Sequence, residues 1–245
     1  MIAAITAGGR VEGAFAAALG TPVKALAKFG EGALLDAAIR AAREAGVRRI
    51  AVIGGEAVGA HCGDRVDEVI PESADGRENI RKAIETGANE SLLLMASDMP
   101  FISPEAVATF LARVGSADIA LPLASAAAYR AAYPGAPAHV TNVGKERVAN
   151  GSVVYFGPGV APRALDSAQR LFTARKSLLR MAALLGPVLL ARFALGGLRI
   201  ADVEARAKTL LGTDARAVRD CSPALCFDVD TIEDYRYALA YPQPG

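Results

Sequence analysis

The chain is poor in several residue types, and each shortage excludes a class of protein. Its 245 residues include no tryptophan, two histidines and three cysteines. The cysteines, Cys62, Cys221 and Cys226, are odd in number and form no Cys-x-x-Cys pair, which favours a reducing compartment over a disulfide-rich secreted protein. Because no second cysteine pair or nearby histidine accompanies Cys221 and Cys226, the sequence disfavours a zinc site there.

The sequence also lacks an excess of either charge and a long uninterrupted apolar run. The formal net charge is +1, so composition gives no reason to expect a nucleic acid or an anionic membrane as partner. Residues 181–198 are the most apolar late stretch, but Pro187, Arg192 and three glycines interrupt them, which is typical of buried or amphipathic helices. The N-terminus has no basic segment before its short apolar run, so we expect no signal peptide and a cytoplasmic location.

What the first half of the sequence does contain is a regular alternation of apolar and amphipathic segments. The hydrophobic fraction is 52% and the charged fraction 22%, as in compact globular proteins. The alternation predicts an α/β fold with a doubly wound, Rossmann-like sheet that is mixed but mostly parallel. We predict strands at residues 2–5, 50–54, 91–97 and 117–123, and helices at 33–45, 78–86 and from Ser103 onward.

The second half is less regular. It predicts a long loop over residues 125–150, a strand at 152–156, short helices from about 163 to 211, a strand at 224–230 and a last helix at 232–240. We find no internal repeat and no linker that would divide the chain. The sequence therefore predicts a single domain over residues 1–245 with a C-terminal helical elaboration at about 163–212.

The first 26 residues carry the strongest functional signal. The apolar run at residues 2–5 opens into a segment that contains Gly8 and Gly9. A Gly-Gly turn after a buried strand leaves backbone N–H groups open to an anion, because no Cβ blocks the approach. Lys24 follows in a Pro-Val-Lys-Ala-Leu segment and would add mobile positive charge if the chain returned to the same place. These features are the ones that a nucleoside triphosphate requires.

Acidic residues at two places are candidate metal ligands. Asp98 follows the predicted strand at 91–97, and ligands of open α/β sheets bind beyond the carboxyl ends of strands. Mg²⁺ takes one or two carboxylates together with phosphate oxygens. Asp228 and Asp230 flank one residue near the C-terminus and would point to opposite faces of an extended segment, so we expect at least one to reach the metal. The alternative roles are a turn residue for Asp98 and a helix cap for Asp230.

Taken in order, these segments resemble the MobA-like nucleoside-triphosphate transferases, which have a glycosyltransferase-A type fold. The resemblance covers the first 125 residues well and the last 20 fairly. The matching segments are Ala7–Gly9, Pro22–Leu26, Ala45–Val47, Ser97–Pro100 and Phe227–Asp234. It implies a nucleotide-binding half at residues 1–125 and an acceptor-binding half at 126–245.

The resemblance implies a Mg²⁺-dependent nucleotidyltransferase, in which an acceptor phosphate attacks the α-phosphorus of an NTP and expels pyrophosphate. Such chemistry needs positioning and charge neutralisation more than proton transfer. The partners would be an NTP and a small phosphorylated acceptor, such as a molybdopterin-like cofactor or a sugar phosphate, with a homodimer also possible. The implied catalytic residues are Lys24, Asp98 and Arg10; the metal ligands are Asp98, Asp228 and Asp230; and the nucleotide contacts are Ala7, Gly8, Gly9, Arg10, Lys24, Gly55 and Ser97.

Three residues are candidates for acceptor binding: Asn150, Gly151 and Lys145. The resemblance suggests that the segment just before the strand at 152–156 contacts the acceptor. Asn-Gly is also a common tight turn, and a lysine in a loop is commonly only solvated. Both readings of these residues stay open at this point.

The Gly-rich segment departs from the family pattern, because Val11 stands where a third glycine is usual. A branched residue does not adopt a positive φ cheaply, so Arg10 is the candidate to supply the missing grip on phosphate. The departure leaves a non-catalytic nucleotide-binding protein of the same fold as one alternative, and a nucleotide-sugar glycosyltransferase as another. The sequence has neither the GxGxxG of dinucleotide-binding enzymes after its first strand nor a GxxxxGK[ST] P-loop.

Overall fold

In a computed structural model, the described residues are 1–137, 139–165 and 186–241. Nine of the strands form one sheet, and two short strands form a hairpin beside it. The hairpin consists of β2 (Lys28–Phe29) and β3 (Gly32–Ala33). The sheet contains β1 (Ile2–Thr6), β4 (Arg49–Gly54), β5 (Glu68–Pro71), β6 (Leu92–Ala96), β7 (Ile119–Ser125), β8 (Thr141–Val143), β9 (Glu146–Asn150), β10 (Val153–Phe156) and β11 (Ala215–Val218).

Helices connect the strands and cover the sheet. Many have the local signals that start a helix; for example, the hydroxyl of Ser103 accepts a hydrogen bond from the Ala106 amide, and Pro104 occupies the first turn. Residues 160–165 are also helical. The others are α1 (Gly13–Leu19), α2 (Leu34–Glu44), α3 (Glu56–Cys62), α4 (Gly76–Thr86), α5 (Pro104–Arg113), α6 (Ala126–Ala132), α7 (Pro187–Ala194), α8 (Ile200–Leu211) and α9 (Ile232–Ala240).

The strand order brings three chain segments to one edge of the sheet. The order is β5-β4-β1-β6-β10-β7-β9-β8, and β11 pairs with β7. β1 lies between β4 and β6 and is parallel to both, so Thr6 aligns with Ile53 on one side and with Ala96 on the other. β10 is antiparallel to β6 and to β7. The predicted mixed, mostly parallel α/β sheet is confirmed, and the residues after β1, β4 and β6 meet at its carboxyl edge.

Both faces of the central strands are buried, which explains their unbroken apolar sequence. Ile5, Val52 and Leu93 belong to the core on the side of α2 and α5. Ile2 and Leu92 belong to the core on the opposite face, together with α4. Successive side chains of a strand point to opposite faces, so each of these strands supplies both cores.

Two predicted segments differ from the structure. The loop predicted over 125–150 contains a helix, α6, and an antiparallel hairpin of β8 and β9. The strand predicted at 224–230 is wrong, because Pro223–Leu225 forms a 3-10 turn and the following residues form no strand. That segment runs across the carboxyl edge instead: the amide of Ser152 donates to the Leu225 carbonyl, and the amide of Val229 donates to the Asp98 carbonyl. The apolar residues that suggested a strand fill the core between these contacts.

The predicted helical stretch from about 163 to 211 falls partly outside the described residues. In the described part, α7 and α8 lie on either side of Gly196 and Gly197, as the glycines predict. No described helix combines the length and the apolar character that a membrane span requires.

Candidate active site

The site begins where the segment after β1 pairs with the segment that carries Lys24. The Lys24 amide donates to the Gly9 carbonyl at 3.0 Å, and the Val11 amide donates to the Pro22 carbonyl at 2.9 Å. Arg10 and Val23 form an isolated antiparallel bridge between these contacts. The lysine predicted to return to the Gly-rich segment is therefore held there by backbone hydrogen bonds.

The ammonium group of Lys24 lies among acceptors from two distant parts of the chain. Its Nζ forms an ion pair with a carboxylate oxygen of Asp98. It also donates to the Val229 carbonyl at 2.9 Å and to Asp230 Oδ1 at 3.2 Å. Burial works to lower the pKa of Lys24, but the charges and hydrogen bonds of Asp98 and Asp230 outweigh it, so its pKa is raised and the group is a cation.

The two carboxylates beside Lys24 differ in their environment. The Asp98 side chain is 9% exposed, whereas that of Asp230 is 60% exposed. A buried carboxylate is stable only with close partners, and Lys24 is the cation that Asp98 contacts. Asp98 is thus the fixed acid of the site, and Asp230 is the acid that faces solvent.

Asp228 completes the acidic side of the site. Its Oδ2 accepts a hydrogen bond from the Ser152 hydroxyl at 3.0 Å. Burial raises the pKa of Asp228 to about 6, and repulsion from the charges of Asp98 and Asp230 adds to the rise. Asp228 is therefore close enough to Asp98 and Asp230 for their negative charges to repel its own. Ser152 is not among the predicted site residues, although it directly follows the Asn-Gly pair that the sequence singled out.

The Gly-rich segment does not form the predicted turn. Neither Gly8 nor Gly9 has a positive φ, and the Ala7 amide donates to the Ile53 carbonyl at 2.8 Å. The prediction that the Ala7 amide is bare is therefore wrong, because this amide continues the β1–β4 pairing. In the described part of the chain, the amides of Gly8 and Gly9 have no hydrogen-bond acceptor. These two amides are the ones open to an anion.

Glu72 approaches Gly8 and Gly55 closely, so a side chain at either glycine would displace the Glu72 carboxylate. A Cβ on Gly8 would lie 2.4 Å from Glu72 Oε2, and a Cβ on Gly55 would lie 2.7 Å from Glu72 Oε1. The carboxylate pairs with the guanidinium of Arg10, whose side chain is half exposed. Glu72 Oε2 is buried and accepts no hydrogen bond. Arg10 is therefore directed toward Glu72 and Gly55, and its predicted contact with phosphate stays a prediction.

Sequence reasoning missed Glu72, because a single glutamate after a short edge strand carries no recognisable pattern. Asn79 holds the loop that follows Glu72. Its side chain accepts a hydrogen bond from the Ser73 amide at 2.6 Å and donates to the Ser73 carbonyl at 2.9 Å. Of the other predicted nucleotide contacts, Ser97 is buried at the end of β6, and Gly55 precedes the first turn of α3. Both lie at the same carboxyl edge of the sheet.

The three predicted acceptor residues do not lie together. The tight turn proposed for Asn150 and Gly151 is wrong, because the Gly151 amide donates to the Pro122 carbonyl at 2.8 Å and continues the pairing with β7. Asn150 is exposed at the end of β9, two residues before Ser152, and lines a cavity together with Val143 and Ile200. Lys145 lies instead in the exposed turn of the β8–β9 hairpin, at the far edge of the sheet.

The donor set suits a divalent ion that arrives with phosphate. Within residues 1–137, 139–165 and 186–241, no group of three or more His, Cys, Asp or Glu side chains is arranged to hold a metal ion by itself. Magnesium commonly takes only one or two protein carboxylates and completes its octahedron with water and substrate phosphate. The buried Asp98 and the Asp228 carboxylate that its charge perturbs would be the residues to supply such a pair of hard oxygen ligands.

A sequence model of the MobA-like NTP transferase domain matches residues 3–215. No curated protein matches the chain by sequence.

Solved structures share the fold over nearly the whole chain. A hypothetical transferase from Thermus thermophilus has a TM-score of 0.85 and 27% identity, and the match covers 95% of this chain and 98% of the other. A 2-C-methyl-D-erythritol 4-phosphate cytidylyltransferase from the same species has a TM-score of 0.55 and 17% identity, covering 97% and 96%. A Mycobacterium tuberculosis protein in complex with manganese has a TM-score of 0.53 and 18% identity, covering 98% and 97%.

Proposed function

The chain belongs to the MobA-like NTP transferase family, and on that premise we propose that it transfers a nucleoside monophosphate from an NTP to a small phosphate-bearing acceptor. The family and its structural neighbours are nucleotidyltransferases, so the chain is an enzyme of that class. The observation that carries the proposal is the position of Lys24. Its ammonium group joins Asp98 and Asp230 at the carboxyl edge, and its side chain passes Gly9, where an added Cβ would lie 3.7 Å from Lys24 Cε.

The triphosphate would lie against the amides of Gly8 and Gly9. Both residues lack a Cβ, and Lys24 is anchored to the Gly9 carbonyl, so its long side chain reaches the same surface. A cation on a flexible stem can follow the charge that develops on the phosphate as the reaction proceeds. Lys24 would therefore stabilise the transition state more than the bound NTP.

The base would lie toward Glu72. The buried Oε2 of this residue accepts no hydrogen bond. A buried acceptor without a donor lowers the stability of the fold, and a ligand that donates a hydrogen bond would remove this cost. An amino or imino N–H of the base would supply the missing donor. Arg10 holds the other carboxylate oxygen and would fix its orientation.

Mg²⁺ would be held by Asp98 and Asp228, with Asp230 in contact with Lys24. One structural neighbour is a manganese complex, which supports a divalent ion in this fold. When bound, such an ion neutralises phosphate oxygens and supports the departure of pyrophosphate. The chain's own contribution is to hold Asp98 in place through Lys24, and Asp228 in place through the Ser152 hydroxyl.

The reaction itself requires no protein base. A phosphate oxygen of the acceptor would form a bond to the α-phosphorus while the bond from that phosphorus to the bridging oxygen of the β-phosphate breaks. Pyrophosphate would leave with the electron pair. A histidine is absent from the contacts of Lys24, Asp98 and Asp230 in the described part of the chain, which is compatible with catalysis by positioning and charge.

The acceptor would approach from the side of Asn150 and Gly151, the two residues that precede Ser152 in the chain, because the Ser152 hydroxyl contacts Asp228. A molybdopterin-like cofactor and a sugar phosphate both carry the phosphate that this chemistry needs. Lys145 lies farther along the sheet and would reach only a larger acceptor. The donor separates this proposal from a glycosyltransferase, which would take a nucleotide sugar and transfer its sugar.

Pyrophosphate release tests the proposal. Each NTP is incubated with Mg²⁺ and a panel of sugar, polyol and pterin phosphates, for the wild type, Lys24→Met and the matched control Lys28→Met. We expect release with one donor–acceptor pair and a loss of about 10²- to 10³-fold in kcat for Lys24→Met, the cost of one lost transition-state donor. The exposed Lys28 makes no site contact, so its variant should match the wild type.

Two outcomes would contradict the proposal. Equal turnover by Lys24→Met and the wild type would remove Lys24 from the chemistry. Nucleotide binding without release for any acceptor in the panel would favour a non-catalytic nucleotide-binding protein, and turnover of a nucleotide sugar would favour a glycosyltransferase.

A further inference from the structure

His139 makes a contact that the chemistry described above does not use. Its Nε2 lies 2.8 Å from Oδ1 of Asp234, a side chain with no exposed surface. His139 belongs to the segment between α6 and β8, and Asp234 to the first turn of α9, so the contact joins parts of the chain 95 residues apart. A buried carboxylate of this kind is retained only where its oxygens are fully used.

Asp234 uses its other oxygen to fix the turn that follows the site. Oδ2 accepts from the Thr231 amide at 2.7 Å and from the Thr231 hydroxyl at 2.8 Å. The Asp234 amide in turn donates to the Thr231 hydroxyl at 3.2 Å, which completes a capping box for α9. Oδ2 also accepts from the Asp230 amide at 3.1 Å. This last bond lies outside the helix and fixes the backbone of a residue that Lys24 contacts.

Helix capping alone does not account for His139. The capping contacts of the carboxylate all use Oδ2, whereas His139 uses Oδ1. The imidazole also packs edge-on against Phe227, with ring centroids 5.8 Å apart. Phe227 directly precedes Asp228. His139 therefore contacts the chain on both sides of the late carboxylates, which are Asp228 and Asp230. Phe227 precedes them, and Asp234 fixes the turn that follows them.

We propose that His139 is a positioning residue for nucleotidyl transfer. It orients Asp234, which holds the backbone of Asp230, and it packs on Phe227, which precedes Asp228, so that both carboxylates stay in position beside Asp98 and Lys24. The inference rests on the proposed function, because its consequence is the placement of the metal-binding carboxylates. Removal of a residue that positions metal ligands without binding the metal itself commonly lowers metal affinity by about 10- to 100-fold.

The chain offers a matched control for the test. His61 is the other histidine, and its Nε2 also lies 2.8 Å from an aspartate, Asp36. The two side chains have similar exposure, 31% for His61 and 22% for His139. Asp36 fixes the start of α2 and has no contact with the late carboxylates. A general loss of stability would appear in both leucine variants, and a positioning role in only one.

Two measurements are made on the full chain with the wild type, His139→Leu, His139→Gln and His61→Leu. The first is hydrogen exchange of the peptide that covers residues 227–235, without nucleotide or metal. We expect faster exchange of the Asp230 and Thr231 amides in His139→Leu, and wild-type exchange in His139→Gln, whose side-chain amide can still donate, and in His61→Leu. Unchanged exchange in His139→Leu would overturn the positioning role.

The second measurement is Mn²⁺ affinity in the presence of each NTP, followed by electron paramagnetic resonance. We expect an affinity about tenfold or more below wild type for His139→Leu, recovery to near wild type in His139→Gln, and no change in His61→Leu. Equal Mn²⁺ affinity in His139→Leu and wild type would overturn the inference. If the wild type bound no Mn²⁺ with any NTP, the proposed function would fail and the functional part of the inference with it, whereas the exchange result would still decide whether His139 positions the turn.

Discussion

At the scale of single residues, the site is a small arrangement of charges around one ammonium group. Lys24 contacts Asp98 and Asp230, and the charges of both carboxylates also act on Asp228. With Lys24 protonated and the three acids ionised, the negative charge exceeds the positive charge. An excess of negative charge in a half-buried place attracts a divalent cation, and it makes the proton uptake of Asp228 favourable.

The perturbed pKa of Asp228 predicts a pH dependence of stability. Its folded pKa, about 6, exceeds the ordinary value of 3.8, so between these values the folded protein holds a proton that the unfolded chain has released. This contribution is fully present below about pH 4 and is lost as the pH rises through about 6. In Asp228→Asn the contribution is absent at every pH.

We therefore expect Asp228→Asn to gain stability relative to the wild type as the pH rises from 4.5 to 7.5, by about 1–2 kcal/mol after allowance for solvent screening. Urea unfolding of both proteins in the presence of a chelator measures this difference at each pH. The comparison between the two proteins removes the effect of other titrating groups. A difference in stability that stays constant over this range would show that Asp228 has an ordinary pKa.

At the scale of elements, the site depends on how β9 passes into β10. Both strands pair with β7, but Gly151 and Ser152 lie between them and shift the register. A Cβ on Gly151 would lie 2.4 Å from Pro122 Cγ and 3.0 Å from the Leu225 carbonyl oxygen. The glycine is therefore required by close packing, and this packing is what brings the Ser152 hydroxyl to Asp228.

Gly151→Ala tests this element. We expect a loss of about 1–3 kcal/mol in the free energy of unfolding, the usual cost of overpacking a filled site. A larger relative loss should appear in Mn²⁺ affinity, because Ser152 would shift away from Asp228. Gly76→Ala is a suitable control, since a Cβ there meets no atom within 4 Å. Equal stability of Gly151→Ala and wild type would contradict the close packing.

The sequence predicted the elements with strong local signals and missed those that tertiary contacts define. The apolar runs of β1, β4, β6 and β7 and the Ser103 cap were readable, since burial on both faces and side-chain capping leave a clear pattern. The turn at Pro223–Leu225 was not, because its apolar residues serve the core without strand pairing. Short edge strands such as β5 and β8 carry too few residues to show a period.

The same distinction holds for the site. Lys24 and Asp98 were predictable because each follows a recognisable segment, and the structure brings them into contact. Glu72, Ser152 and His139 were missed because their partners lie 62, 76 and 95 residues away along the chain. Contacts over such distances depend on the strand order, which a single sequence does not reveal.

At the scale of the whole molecule, one edge of the sheet gathers the groups proposed to bind the phosphates and the groups proposed to bind the metal. The Gly-rich segment follows β1, Asp98 follows β6, and the late carboxylates cross the same edge from a segment after β11. The sheet thus collects groups from residues 8 to 230 into one place. We predict that this place binds an NTP together with a divalent metal, and this claim needs no knowledge of the acceptor.

The direct test is a thermal-shift measurement with the four NTPs, with and without Mg²⁺ or Mn²⁺, on the wild type and Asp98→Asn. A ligand that binds only the native state raises the melting temperature, and saturation at about 100 times its Kd corresponds to about 2.7 kcal/mol. We predict a rise with at least one NTP that depends on the metal and is lost in Asp98→Asn. A melting temperature that no NTP raises, or a rise that is equal in Asp98→Asn, would contradict the account.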